Sequence, residues 1–147
     1  MRYASSCGYH AKACRLILVM ACLGMANCHG PDLNHQAFTS LDKVLKLETC
    51  DKVKQENLHV EYYPTSEGEY LLVLSKTFSF QFLVHSDQVF GLNADTVDCF
   101  RVKPLYKDTE MMRKVLLEVS QSVVQNPDNR RVIIELKAGG KPGTLPY

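Results

Sequence analysis

Hydrophobic and polar residues alternate along the middle of the chain, and this alternation predicts a run of short β-strands. Residues 58–63 alternate at every position, and residues 78–84 carry an apolar side chain at every second position. Such alternation is typical of a strand with one buried face. Residues 69–75 are instead apolar on both faces, which predicts a strand covered from both sides. Shorter strands are predicted at residues 88–92, 96–102 and 131–136, with turns at 64–68 and 85–87.

Two segments have the periodicity of helices. Residues 37–47 predict a short helix with its apolar residues on one face. A longer helix is predicted over residues 108–125, before a proline that favours a stop. Its apolar stripe recurs at the i, i+3, i+4, i+7 and i+11 positions and consists of Met112, Val115, Leu116, Val119 and Val123. We expect Met112, Leu116 and Val119 to be buried against the sheet.

The order of these elements predicts the fold class. Several antiparallel strands, one long helix and a last strand indicate an α+β fold, built as a curved antiparallel sheet or a cracked β-barrel with the helix before the last strand. Apolar residues make up 46% of the 147 residues, enough to form a core. We expect one domain at residues 37–137, preceded by a signal peptide at 1–27 and a polar tether at 28–36, and followed by a flexible tail at 138–147.

The N-terminal segment has the composition of a secretory signal. Residues 1–15 are basic, and the apolar run at 16–26 is shorter than the roughly 20 residues that span a bilayer. Cleavage after Ala26 would give plain secretion. The four residues ending at Cys28 also resemble a bacterial lipobox, in which Cys28 would carry the lipid, and Cys22 is a second candidate. A retained membrane anchor is the remaining alternative.

Cysteine parity supports lipidation of Cys28. Cleavage after Ala26 leaves three cysteines, an odd number for an oxidising compartment. With Cys28 lipidated, Cys50 and Cys99 remain as a pair. They lack the CxxC spacing and the neighbouring histidines of redox or metal sites, so we expect a structural disulfide between them.

The sequence predicts no enzyme. The turn at His85, Ser86 and Asp87 holds the residue types of a hydrolase triad, but consecutive residues cannot form that geometry. The whole chain has a net charge of +1, and removing residues 1–27 takes away three of 17 basic residues and none of 16 acidic ones. The remainder has no positive excess for binding nucleic acid. We also expect no cofactor, no metal and no small-molecule substrate.

A row of phenylalanines has two interpretations. Phe78, Phe80 and Phe82 project from one face of their predicted strand. We expect them to be met from the neighbouring strand by Tyr70, Leu72 and Leu74. Ordinary core packing is one interpretation. The other is a groove, lined by these six residues, for an acyl chain or an amphipathic peptide helix.

The run Phe78-Ser79-Phe80-Gln81, then Gly91, then Val97-Asp98-Cys99-Phe100, a helix and the strand at 132–136 resembles the pilotin lipoproteins of type III secretion systems, of the MxiM type. The resemblance covers about residues 50–136. It implies an outer-membrane lipoprotein on the periplasmic face that escorts a secretin subunit by binding its C-terminal segment. Cys28 would be the lipid site, with the disulfide at Cys50 and Cys99.

The order of strands, cysteine, helix and strand is also similar to the META/HslJ-like domain. That resemblance implies an envelope lipoprotein that acts by protein binding. A toxin-immunity protein is a further alternative in the same class, either lipid-anchored or soluble in the periplasm or outside the cell. All of these functions rest on binding another protein rather than on catalysis.

Overall fold

The structure is a computed structural model that describes residues 32–47, 51–93, 99–125 and 131–140. The chain divides into residues 1–30 and residues 31–147, and the described residues all belong to the second unit. They form three α-helices, α1 (Leu33–Lys46), α2 (Asp51–Gln55) and α3 (Thr109–Gln125), and a short 3-10 helix at Leu105–Lys107. The strands are β1 (Leu58–Thr65), β2 (Gly68–Leu74), β3 (Ser79–His85), β4 (Gln88–Gly91), β5 (Lys103–Pro104) and β6 (Val132–Leu136).

The six described strands form one open sheet in the order β5-β4-β3-β2-β1-β6. All neighbouring pairs are antiparallel except β4 and β5, which are parallel. The α+β class, the antiparallel sheet and the long helix before the last strand are therefore confirmed. The sheet does not close on itself, so the open sheet rather than a barrel is the architecture found.

Two tight turns set the register of the hairpins. In the β3–β4 turn, Ser86 and Asp87 have φ values of 46° and 63°, the left-handed conformations that two-residue hairpin turns need. Lys43 of α1 forms an ion pair with Asp87 and ties this turn to the helix. At the start of β2, Gly68 has a φ of 138°, and a Cβ there would overlap the carbonyl oxygen of Val84. Glycine is therefore required at this position.

The first face of the sheet is covered by α1 and α2. Asp32 begins α1 because its carboxylate accepts hydrogen bonds from the amides of Asn34 and His35. Ala37, Leu41 and Val44 then recur on one side of α1 and are completely buried. They join a core whose sheet members are Leu58, Val60, Tyr62, Leu71, Val73, Phe80, Phe82, Val84, Val89, Ile134 and Leu136.

The second face is covered in part by α3. Val115 is completely buried in a cluster with Tyr63, Tyr70 and Leu83. Leu116 is 40% exposed, so its predicted burial is wrong. Met112 and Val119 are partly buried against the same cluster, on the side of α3 that was predicted to face the sheet.

Contacts with the β1–β2 turn explain this rotation of α3. Lys114 lies 3.5 Å from the carboxylate of Glu67, and Glu118 accepts a hydrogen bond of 2.6 Å from the amide of Ser66. These contacts turn the helix toward the turn, so Val115 and Ser122 face the sheet and Leu116 does not. A stripe with apolar residues at both 115 and 116 does not distinguish the two rotations.

Four element boundaries differ from the prediction. The residues at 33–36, predicted as tether, are the first turn of α1. The helix α2 was not predicted. Of the strand predicted at 96–102, residues 99–102 contain no extended strand, and the chain pairs with β4 at Lys103–Pro104 instead. The first residues of the predicted tail are held in place, because the Gly139 amide donates to the Lys54 carbonyl oxygen at 2.9 Å.

Several predictions fall outside the described residues: the signal peptide, Cys28, Cys50 and most of the tail. Cys99 is described, and it is disulfide-bonded. Its pairing with Cys50 stays a prediction, as does lipidation at Cys28. Among the described residues, we find no helix with the length and hydropathy that crossing a bilayer requires.

Candidate binding surface

The predicted groove is not formed, because its two rows of side chains lie on opposite faces of the sheet. The β2–β3 register pairs Val73 with Phe80 and Leu72 with Gln81. Directly paired residues share a face, so Leu72 lies on the face opposite to Phe80. The same register places Tyr70 and Leu74 on the face of the sheet opposite to that of Phe82. The expectation that the six residues meet is therefore wrong.

The phenylalanine row belongs to the core. Phe82 is 0% and Phe80 7% exposed, and both pack edge-on against Phe100, with ring centroids 4.9 and 5.2 Å apart. Phe78 is partly buried and stacks on Phe80 at 4.6 Å. Of the two interpretations of this row, core packing is correct. Any binding surface must lie elsewhere.

The second face of the sheet carries three rows of side chains that run across the strands. The first row, Phe90, Leu83, Tyr70 and Tyr63, lies with α3 in one apolar cluster. The second row is Gln81, Leu72, Glu61 and Ile133, and the third is Ser79, Leu74, His59 and Glu135. None of the eight residues in the second and third rows is buried, and we call them the open surface.

Apolar residues of the open surface lie beside exposed apolar residues of α3. Leu72 and Leu74 are partly buried, and Ile133 of β6 is 46% exposed. Leu116 and Val123 of α3 are also exposed, at 40% and 43%. They lie on the helix flank away from Lys114 and Glu118, which contact the β1–β2 turn. The result is a sheet surface of mixed apolar and polar residues beside an exposed apolar flank of α3.

The polar corner of the open surface is built around one histidine. The His59 ring places Nδ1 2.6 Å from the Glu135 carboxylate on β6 and Nε2 3.2 Å from the Glu61 carboxylate on β1. The Tyr63 hydroxyl donates to the other Glu61 oxygen at 2.5 Å, and the Arg131 guanidinium lies 3.9 Å from Glu61. One imidazole ring therefore bridges two carboxylates on adjacent strands.

This geometry shifts the pKa values of His59 and Glu61, both on β1. The hydrogen bond to Glu135 is the largest influence on His59, and it raises the pKa of His59 although partial burial acts in the opposite sense. Burial opposes ionisation of Glu61, but hydrogen bonds from Tyr63 and His59 and the charge of Arg131 outweigh it and lower the pKa of Glu61. Both shifts favour the charged forms of His59 and Glu61.

The sequence contained a signal for this cluster. His59, Glu61 and Tyr63 occupy every second position of β1 and share one face of the strand. The missing information was the partner strand, because Glu135 comes 76 residues after His59 and meets it only through the β1–β6 register. No group of three or more potential metal ligands occurs among the described residues.

A second concave feature lies at the other end of α3. A wide cleft of about 400 Å³ lies between the β4–β5 edge and the start of the helix. Its lining combines apolar residues with charged ones and consists of Phe90, Pro104, Leu105, Lys107, Asp108, Thr109, Glu110 and Met111. The Asp108 carboxylate accepts a hydrogen bond from the Met111 amide, so this polar group serves as a helix cap.

Comparisons with protein-family models, with curated proteins and with solved structures give no match to this chain.

Proposed function

We propose that this chain is an exported binding module whose open surface holds an apolar segment of another envelope protein. The observation that carries the proposal is the set of accessible apolar residues beside the exposed flank of α3, with Leu72 and Leu74 on one side of His59 and Glu61 and Ile133 on the other. Accessible apolar side chains grouped around a few polar ones are typical of a protein-interaction site.

The shape of the open surface suits a helical partner. Side chains two apart on a strand are separated by about 7 Å, so the second and third rows offer a floor about as wide as one helix. A helix lying there would pack beside α3 at the usual separation of about 8–10 Å. Its apolar residues at i, i+3, i+4 and i+7 would contact Leu72 and Ile133 below and Leu116 at the side.

The resemblance to pilotin lipoproteins suggests the partner. In that family the ligand is the C-terminal segment of a secretin subunit, and an N-terminal lipid carries the complex to the outer membrane. Lipidation of Cys28 would give this chain the same anchor. We therefore propose escort or stabilisation of a secretin subunit as its function, with the open surface rather than the phenylalanine row as the docking site.

The proposal is tested by titrating the purified full chain with a peptide of the secretin C-terminal segment. Ile133→Asp and Leu116→Asp each place a charge among these apolar residues at an exposed position, so the domain should stay folded. We expect each to raise the Kd of the peptide about tenfold or more, as expected when a central apolar contact is lost.

Leu47→Asp is the matched control. Leu47 is 37% exposed at the end of α1, which packs on the first face, so the same change there should leave the Kd unchanged. Absence of saturable binding at high micromolar peptide would contradict the proposal. An equal loss in all three variants would show that the peptide does not use the open surface.

A further inference from the structure

The ring of His59 faces an anionic oxygen at each of its two nitrogens. A neutral imidazole has one N–H and one lone pair, whereas a protonated imidazole donates from both nitrogens. With both carboxylates ionised, contacts of 2.6 Å to Glu135 and 3.2 Å to Glu61 can both be hydrogen bonds only when the ring is protonated. The geometry of the corner therefore fits the imidazolium.

The position of His59 in the sheet gives this proton a structural role. Within the described residues, β6 pairs with β1 alone, so the His59–Glu135 contact links the edge strand to its single neighbour. The residue paired with His59 on β2 is the neutral Leu74. The groups that bear on the ring charge are therefore Glu61 and Glu135, with Tyr63 and Arg131 acting through Glu61.

We propose that His59 is a proton-operated latch that fixes the Glu135 side chain of β6, beside Ile133, in the position that the open surface uses for binding. Protonation of His59 closes the latch, and the open surface then binds its apolar partner more tightly. The binding part of this inference rests on the proposed function, whereas the latch itself does not.

The two carboxylates respond differently when the ring loses its proton. The Glu61 side chain is 18% exposed and keeps the Tyr63 hydroxyl and the Arg131 charge as partners. The Glu135 side chain is 67% exposed and can turn into water. Deprotonation therefore releases Glu135 rather than Glu61. This leaves an uncompensated charge two residues from Ile133, where an apolar partner would have to desolvate it.

The direction of the His59 titration supports the latch. The hydrogen bond to Glu135 raises the pKa of His59, which means that the folded protein holds the proton more tightly than the unfolded chain. The linkage is reciprocal. If the partner binds the latched form better, acidification strengthens binding and binding raises the proton affinity of His59.

The latch is tested by NMR titration of the histidine rings in the full chain. We expect the His59 ring to titrate above the ordinary value of 6.5 in the wild type and to return toward it in Glu135→Gln. Amide exchange in β6 should be slower at pH 5.5 than at pH 8, after correction for intrinsic rates, and this difference should vanish in His59→Gln. Identical ring titrations in the wild type and Glu135→Gln would overturn the latch.

The coupling to binding is tested with the secretin-tail peptide at the same two pH values. We expect the wild type to bind roughly three- to tenfold more tightly at pH 5.5, since one unit of pKa coupling corresponds to tenfold in affinity. His59→Gln should bind with one affinity at both pH values. His35→Gln, which removes an exposed histidine from α1, should keep the wild-type dependence.

The possible failures are distinguishable. Peptide binding that is saturable but equal at both pH values in the wild type would overturn the coupling and leave the proposed function intact. A latch seen by NMR without any peptide binding would instead contradict the proposed function.

Discussion

Ser66 and Glu118 join the β1–β2 turn to the middle of α3. The Ser66 amide donates to one oxygen of the Glu118 carboxylate at 2.6 Å, and the Ser66 hydroxyl donates to the other. One carboxylate thus receives two hydrogen bonds from a single turn residue. Because Glu118 sits on the flank of α3, this contact accompanies the helix rotation in which Val115 rather than Leu116 reaches the sheet.

The rotation of α3 predicts losses of stability of different size for alanine substitutions at two adjacent apolar residues. Val115→Ala removes two methyl groups from a completely buried side chain and should lower the free energy of unfolding by about 2 kcal/mol. Leu116→Ala removes a larger side chain that is 40% exposed and should cost less than about 1 kcal/mol. Urea unfolding of both variants checks the order. A larger loss at Leu116 would mean that α3 is rotated differently.

A buried hydroxyl in α3 predicts a stabilising substitution. Ser122 is 4% exposed, and its Oγ has no hydrogen-bond partner in the part of the chain that is described. Ser122→Ala removes this desolvated group and improves helix propensity, so it should raise the melting temperature and add about 1 kcal/mol. Ser120→Ala is the control, because Ser120 is exposed and bonds the Leu117 carbonyl oxygen at 2.8 Å. A loss of stability in Ser122→Ala would indicate that the hydroxyl is bonded.

Alanine substitutions at two glycines with positive φ separate the stability cost of backbone strain from that of steric overlap. Gly139→Ala adds a Cβ with nothing within 4 Å at a φ of 73°, so it should cost only the left-handed penalty of about 1 kcal/mol. Gly68→Ala adds a Cβ against the Val84 carbonyl oxygen as well, and should cost roughly 3 kcal/mol or more. Equal costs in chemical denaturation would show that the β1–β2 turn shifts to make room.

The raised pKa of His59 predicts a pH dependence of stability. A group that binds its proton more tightly in the folded state contributes fully below its unfolded value of 6.5, and this contribution is lost as the pH rises through the folded pKa. The free energy of unfolding should therefore fall between pH 5.5 and 8.5, by at most about 1 kcal/mol because the pair is solvent-screened.

The same scan of His59→Gln isolates this contribution. The variant should show a flatter profile over the window. Glu61 has a lowered pKa, so its own contribution is lost only at more acidic pH and does not overlap the measurement. A wild-type slope that persists in His59→Gln would assign the pH dependence to another group.

Apart from β5, the described strands could be predicted from their apolar residues, but the pairing faces of β2 could not. Tyr70 to Leu74 are all apolar, so the pattern does not say which side meets the phenylalanines. The four-residue loop after β2 decides it. Leu74 pairs with Ser79, so even-numbered residues of β2 lie beside odd-numbered residues of β3. The phenylalanine row therefore meets Leu71 and Val73, not Leu72 and Leu74.

The open surface could not be predicted from the sequence pattern for a related reason. Its members come from four strands, and only the strand order β3-β2-β1-β6 makes them neighbours. His59 and Glu61 could be seen as an outward-facing pair on β1. Their link to Glu135 depends on β6 returning to the edge beside β1 rather than extending the sheet at β4.

The return of β6 to the edge beside β1 also has a consequence for how the chain is made. As the chain leaves the ribosome, β1 to β4 can pair through local hairpins. The outer edge of β1 cannot pair until β6 has been synthesised, because Glu135 comes 76 residues after its partner His59. Such long-range pairing is slow compared with hairpin closure. The nascent chain therefore stays incompletely folded until its last strand has been synthesised.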